Sequence, residues 1–257
     1  MEQARDGNSV VQAVEKALRA EPRINFGLHP IGLDHDGEVL TMRGEVEDIA
    51  AKKLALELAA AIPGVGAIID QLHCLPAQHA SDEELLAALR NALLQEPALQ
   101  PITLSIRRGT ALETIRAPDA RSRGWLELRC EDGVVTLDGE ISSLAQKRLA
   151  GVLAWWVPGV RDVVNGLGVS PPEEDNDAEI TDAVSIILSK DPFVNAGQLR
   201  VHTHDSVVRL DGVVHSDEER DMAERDAWYT FGVDRVENHV EVTDRHGFLS
   251  RPFNPGA

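Results

Sequence analysis

Rings and thiols are scarce in this chain. Aromatic residues make up 4% of its 257 positions, with a single tyrosine. Its two cysteines, Cys74 and Cys130, are too few for a disulfide framework and read as buried thiols. Basic side chains are outnumbered, 25 Lys and Arg against 43 Asp and Glu, for a formal charge of −18. A field of that sign repels phosphate, which excludes nonspecific binding to nucleic acid and disfavours plain electrostatic attachment to an anionic membrane. No apolar run approaches the about 18 residues needed to cross a bilayer, so no transmembrane segment is expected. The opening stretch MEQARDGNSVVQAVEKALRAEP lacks the apolar centre of a signal peptide and reads as an amphipathic helix. Taken as the native start, it places the protein in the cytoplasm. Also missing are a nucleophile elbow, a Walker loop, an HExxH pair and a Cys/His pairing. No catalytic residue, cofactor or metal ligand is therefore assigned, and an enzyme is not expected.

What the chain does have is repetition. Gly44, Gly139 and Gly212 sit in the phrases EVLTMRGEV, GVVTLDGEI and SVVRLDGVV, and 20 residues after each stands Gly64, Gly159 or Gly232. Beyond the second glycine an alternation follows: Ile68, Asp70, Leu72, Cys74; then Val163, Asn165, Leu167, Val169; then Val236, Asn238, Val240, Val242. That period of two describes a strand with one buried face. Upstream, each copy carries an apolar helical stripe before a proline: Val14/Ala17/Leu18, Leu89/Ala92/Leu93 and Val184/Ile187/Leu188. Two strands lie between proline and first glycine, and a second helix between the glycines, with capping boxes at Ser143–Gln146 and Ser216–Glu219. Each copy reads helix–strand–strand–helix–strand.

The phrase G-V-V-x-L-x-G, a helix, P-G-V and V-x-N-x-L-x-V resemble the BON domain, named for bacterial osmotic-stress and nodulation proteins. Asp70 replaces the asparagine in the first copy, and Phe231 the proline in the third. The resemblance implies an α+β fold of three tandem small αββαβ modules, each with two helices packed on one face of a three-stranded mixed sheet. The modules span 6–76, 81–171 and 177–244, followed by a C-terminal tail at 245–257. It also implies a binding role: a cytoplasmic scaffold or a stress- or envelope-associated adaptor, with a peripheral phospholipid-binding protein as the alternative and potassium sensing as a distant one.

Candidate contact residues follow from what the repeat does not require. In the second copy the proline-to-glycine separation is 42, against 22 and 20 in the others, so an insertion falls at about 105–125. It holds Arg107, Arg108, Arg116, Arg121 and Arg123 against Glu113 and Asp119, with Trp125 at its end. It is either an added hairpin turning near Gly109 or an irregular loop, and it offers the one basic patch for a phospholipid surface. Trp155, Trp156, Trp228 and Tyr229 stand where the first copy has Ala60 and Ala61, at the margin of the helix face marked by Ala150/Ala154 and Ala223/Ala227. They fill contacts between modules or meet a protein partner, a second copy or lipid. The paired glycines read as helix stops and as a bulge or close approach of helix to sheet. His202 and His204 are assigned to the solvent face of a strand.

Overall fold

The computed structural model describes residues 2–117 and 124–243. Its first unit opens with α1 (Glu2–Ala20), whose Val14 and Leu18 face inward and are fully buried. An antiparallel hairpin of β1 (Gly32–Asp36) and β2 (Val39–Val46) comes next. α2 (Ile49–Ala60) crosses over, and β3 (Ala67–Cys74) returns parallel to β2.

The second unit begins with α3 (Asp82–Gln95), then β4 (Thr103–Arg108) and β5 (Ala111–Arg116). β6 (Trp125–Glu131), β7 (Val134–Ile141), α4 (Leu144–Trp155), β8 (Asp162–Asn165) and β9 (Gly168–Val169) complete it. Its sheet has six strands in the order β5-β4-β6-β7-β8, with β9 also on β7. Three strands were expected here, and the excess has two sources. The insertion forms the β4–β5 hairpin, turning at Gly109, and β4 adds to the sheet parallel to β6. The closing strand is broken after Asn165 and counts twice. Arg121 and Arg123, like the tail at 245–257, lie outside the described residues.

The third unit repeats the first, with α5 (Asp177–Lys190), β10 (Leu199–His204), β11 (Val207–Val214), α6 (Asp217–Tyr229) and β12 (Arg235–Val242). His202 and His204 are exposed on β10, on the strand face opposite the half-buried Leu199, Val201 and Thr203.

Small side chains let helices lie close to the sheets. Ala55 and Ala59, Ala150 and Ala154, and Ala223 and Ala227 are all fully buried. The first glycine of each pair serves a different contact from the one expected. At Gly139, with φ +143°, an added Cβ would stand 2.1 Å from the Trp125 carbonyl oxygen. The close neighbour is the backbone of the preceding strand, not a helix. Ser143 and Ser216 cap their helices by accepting the N–H of Gln146 and Glu219. The return bonds of Gln146 and Glu219 reach one residue earlier, to the N–H of Ser142 and His215. A clamp not visible in the repeats holds two hairpin turns: Asp82 accepts the N–H of Asp132 and Gly133, and Asp177 those of Asp205 and Ser206.

Chain order does not decide which units share a core. Buried residues of the first and third units merge into one apolar cluster, while the second keeps its own. Trp155 packs against both. No helix among the described residues is long and apolar enough to cross a membrane.

Candidate functional site

The crossover helices α2, α4 and α6 converge, and a cleft of about 870 Å3 opens where they meet. Leu56 and Ile68 from the first unit, Trp155 and Val164 from the second, and Tyr229 and Phe231 from the third line it. Val164 and Phe231 remain 49% and 43% exposed at its rim, apolar surface offered to solvent.

The cleft floor is ionic and almost fully paired. Lys52 on α2 is buried, and its Nζ donates to the Leu72 carbonyl at 2.7 Å and to Asp162 of the second unit at 2.6 Å. It also lies 3.0 Å from Asp70. Burial alone would lower this ammonium, but Asp162 and then Asp70 outweigh it and leave the lysine raised. Asp70 thereby explains its departure from the repeat. Asn165 donates to the Lys147 carbonyl and accepts from Leu167 N–H, and Asn238 makes the same pair of bonds to Arg220 and Val240. Asp70 still accepts the Leu72 N–H but has no amide to donate, and the Lys52 ammonium meets its charge instead.

One residue further along each helix stands a second connector. Lys53 donates to the carbonyls of Thr230 and Val233 in the third unit at 3.2 and 2.8 Å. Burial pulls its ammonium down to about 8, with Asp234 opposing. At the equivalent place in the second unit, Arg148 is 1% exposed, donates to the Phe231 carbonyl at 2.9 Å and pairs with Asp175. Lys147 sits 4.4 Å above the Phe231 ring. Phe231, the residue that replaces the repeat's proline, is thus held by two cations of the second unit. The third unit's counterparts, Arg220 and Asp221, pair with each other.

The aromatic residues singled out in the sequence fall in different places. Trp155 stacks on Tyr229 across the second and third units, with centroids 5.2 Å apart and planes 7° from parallel. Trp156 donates its indole N–H to Asp226 at 2.7 Å across the same seam. Trp228 is 1% exposed, whereas Trp125, on β6, is 49% exposed. The insertion's three described arginines are already occupied: Arg107 pairs with Glu127, Arg108 with Glu83 and Glu113, and Arg116 donates to the carbonyls of Leu99 and Ile102. Cys74 and Cys130 are free and buried, and burial pushes both thiols up to about 12. Among the described residues no group of three His, Cys, Asp or Glu is placed to hold a metal. The arrangement binds units together and shows an apolar mouth.

Sequence reasoning missed Lys52, Lys53, Arg148, Asp162 and Asp226. A signal existed in the first two copies, where adjacent cations (Lys52-Lys53 and Lys147-Arg148) sit eight and nine residues after the first glycine of each pair.

Comparison with known proteins places this architecture. The BON domain model matches residues 8–76, 121–171 and 176–244. Osmotically-inducible protein Y of Escherichia coli (strain K12) is 32% identical over 123 residues, 46% of this chain and 61% of that protein. The chain therefore spans less than two thirds of that relative's length. Two solved chains of CdsD, a structural protein of the Type III secretion system of Chlamydia trachomatis, are 13% identical. They cover 91% and 95% of this chain, and the match takes in 97% and 99% of theirs, but TM-scores of 0.24 and 0.25 carry no argument. With three matched segments taking in well over half of its residues, the chain belongs to the BON domain family.

Proposed function

We propose that the chain is a non-enzymatic interaction protein, a scaffold whose three BON units lock into one body and present the central cleft to a protein partner. The carrying observation is the contrast within the cleft. Its ionic floor is paired internally, while Val164 and Phe231 stay exposed at the rim. The similarity to an osmotically inducible protein supports a place in a stress response. A photo-crosslinking residue at Val164 or Phe231 of the full chain is expected to give discrete protein adducts in cells. The same residue at Glu237, on the exposed face of β12, is expected to give none. Equal adducts at both places, or none at the rim, would sink the reading.

A phospholipid surface is the competing partner, and the insertion's paired arginines argue against it. Each exposed Lys or Arg near an anionic leaflet contributes on the order of 1 kcal/mol, and Arg107 and Arg108 are spent on Glu127, Glu83 and Glu113. Flotation with phosphatidylserine-containing vesicles should leave the protein unbound. Salt-sensitive flotation lost on replacing Arg107, Arg108, Arg121 and Arg123 would favour the membrane instead.

A further inference from the structure

Asp226 on α6 is 1% exposed. Its Oδ1 accepts the Trp156 indole N–H across the seam between second and third units. Its Oδ2 is buried and has no hydrogen-bond donor beside it among the described residues. The neighbouring group is another acid. Asp191, at the C-terminal end of α5, is also buried and accepts the Phe193 N–H at 2.8 Å. A carboxylate kept from water, with one oxygen unpartnered and an acid for a neighbour, is disfavoured as an anion. A proton on Asp226 Oδ2 removes one charge and gives Asp191 a donor, which meets both needs at once.

Other charges around the pair do not supply that relief. Arg225 on the same helix pulls weakly, and α4 contributes only the neutral Trp156 indole. Around the α2 side, Lys53 is held by the carbonyls of Thr230 and Val233, and Arg23, in the loop after α1, pairs with Glu224. Lys190, next to Asp191, is taken by Glu96 of the second unit at 2.9 Å. From the sheet, β12 meets α6 through the neutral Asn238, which donates to the Arg220 carbonyl and to Glu224. Burial, with Asp191 adding to it, pushes the Asp226 carboxyl up to about 8 against the pull of Trp156.

We propose that Asp226 carries a proton while the units are docked, and that this proton latches the third unit onto the second. The seam is tightest in acid, loosens as pH rises through neutral and loosens no further above about 8. The direction follows from linkage. Seated, Asp226 gives up its proton near 8; released into water, it does so in the ordinary carboxylate range near 3.8. Between those values only the seated state carries the proton, so opening becomes easier by up to about tenfold per pH unit and then levels off. Trp155 and Tyr229 line the cleft beside this seam, so the latch also shapes the cleft mouth. That consequence, unlike the latch, rests on the docking reading.

Two readouts on the full chain test the proposal. The first is the indole 15N–1H signal of Trp156, identified by its loss in Trp156→Phe and followed from pH 5.5 to 9.5. The second is hydrogen-exchange protection of α4 and α6 amides, corrected for the intrinsic rate. Wild type should show an indole midpoint near 8 and protection that falls through neutral pH and flattens above it. Asp226→Asn keeps an acceptor for Trp156 and a donor for Asp191 without a titrating proton. It should abolish the midpoint and remove the seam's share of the pH dependence. A flat indole signal in wild type overturns the proton on Asp226. A titrating signal with identical protection profiles in wild type and Asp226→Asn overturns the latch. Neither readout depends on whether the cleft binds a partner.

Discussion

Replacing Lys52 with methionine keeps an unbranched side chain, one heavy atom shorter, and strands two carboxylates. In the native protein its Nζ holds Asp162 at 2.6 Å, Asp70 at 3.0 Å and the Leu72 carbonyl at 2.7 Å. Removing one member of a buried ion pair costs about 3–5 kcal/mol, because the remaining charge is left without a partner. The side chains of Asp162 and Asp70 are 14% and 33% exposed, so water reaches them in part and the lower end applies. A loss of about 3 kcal/mol corresponds to a fall in Tm of about 6–12 °C for a chain of this size. The second arm of the experiment is Lys52→Met with Asp162→Asn, which removes the stranded charge that joins first and second units. It should recover about 1–2 kcal/mol, and the double-mutant cycle should show coupling above about 1 kcal/mol. Urea titration followed by far-UV circular dichroism measures all four proteins. A loss below about 1 kcal/mol for Lys52→Met, or strict additivity with Asp162→Asn, refutes the idea that this lysine joins the units.

Trp228→Ala should cost about 3–5 kcal/mol, since the ring is buried, while Trp125→Ala on the exposed strand should stay below about 1 kcal/mol; chemical denaturation of the two variants decides it. Gly139→Ala should lose at least about 2 kcal/mol from steric strain. Gly44→Ala should lose less, because its added Cβ would stand 3.1 Å from the Pro30 carbonyl oxygen rather than 2.1 Å from that of Trp125. Urea titrations at pH 5.5 and 8 should show wild type losing stability as pH rises, since the raised Asp226 carboxyl holds its proton only in the folded state. Asp226→Asn should lose less over the same interval.

The repeat made the interior of each unit legible. Leu18, Leu93 and Leu188, the paired alanines and the alternating last strand occupy equivalent places because each unit solves the same packing problem. Contacts between units were hidden for the same reason. They are built largely where the copies diverge: Asp226 on α6, the substitutions Asp70 and Phe231, and Lys52, Lys53 and Arg148, whose adjacent cations the third copy does not repeat. Aligning the copies sets such residues aside as departures, although here the departures are the joints. The insertion's ion pairs were hidden for another reason. Counting charges along 105–125 treats each arginine as free, whereas Arg107 and Arg108 find their carboxylates on β6, on α3 and across their own hairpin. Formal charge is a property of the chain, but free charge depends on what folding brings within 3 Å or so of each group. Trp155 and Trp156 stood out correctly as residues the repeat does not need. Their partners, Tyr229 and Asp226, lie 74 and 70 positions away, beyond any local pattern.

The central claim is that three BON units form one interlocked body, with the first and third sharing a core and the second wedged against both. Differential scanning calorimetry of the full chain tests it most directly, through the ratio of calorimetric to van't Hoff enthalpy. Interlocked units predict one transition with a ratio near one. Separate transitions, or a ratio approaching about three, would mean that the units unfold independently and contradict the account.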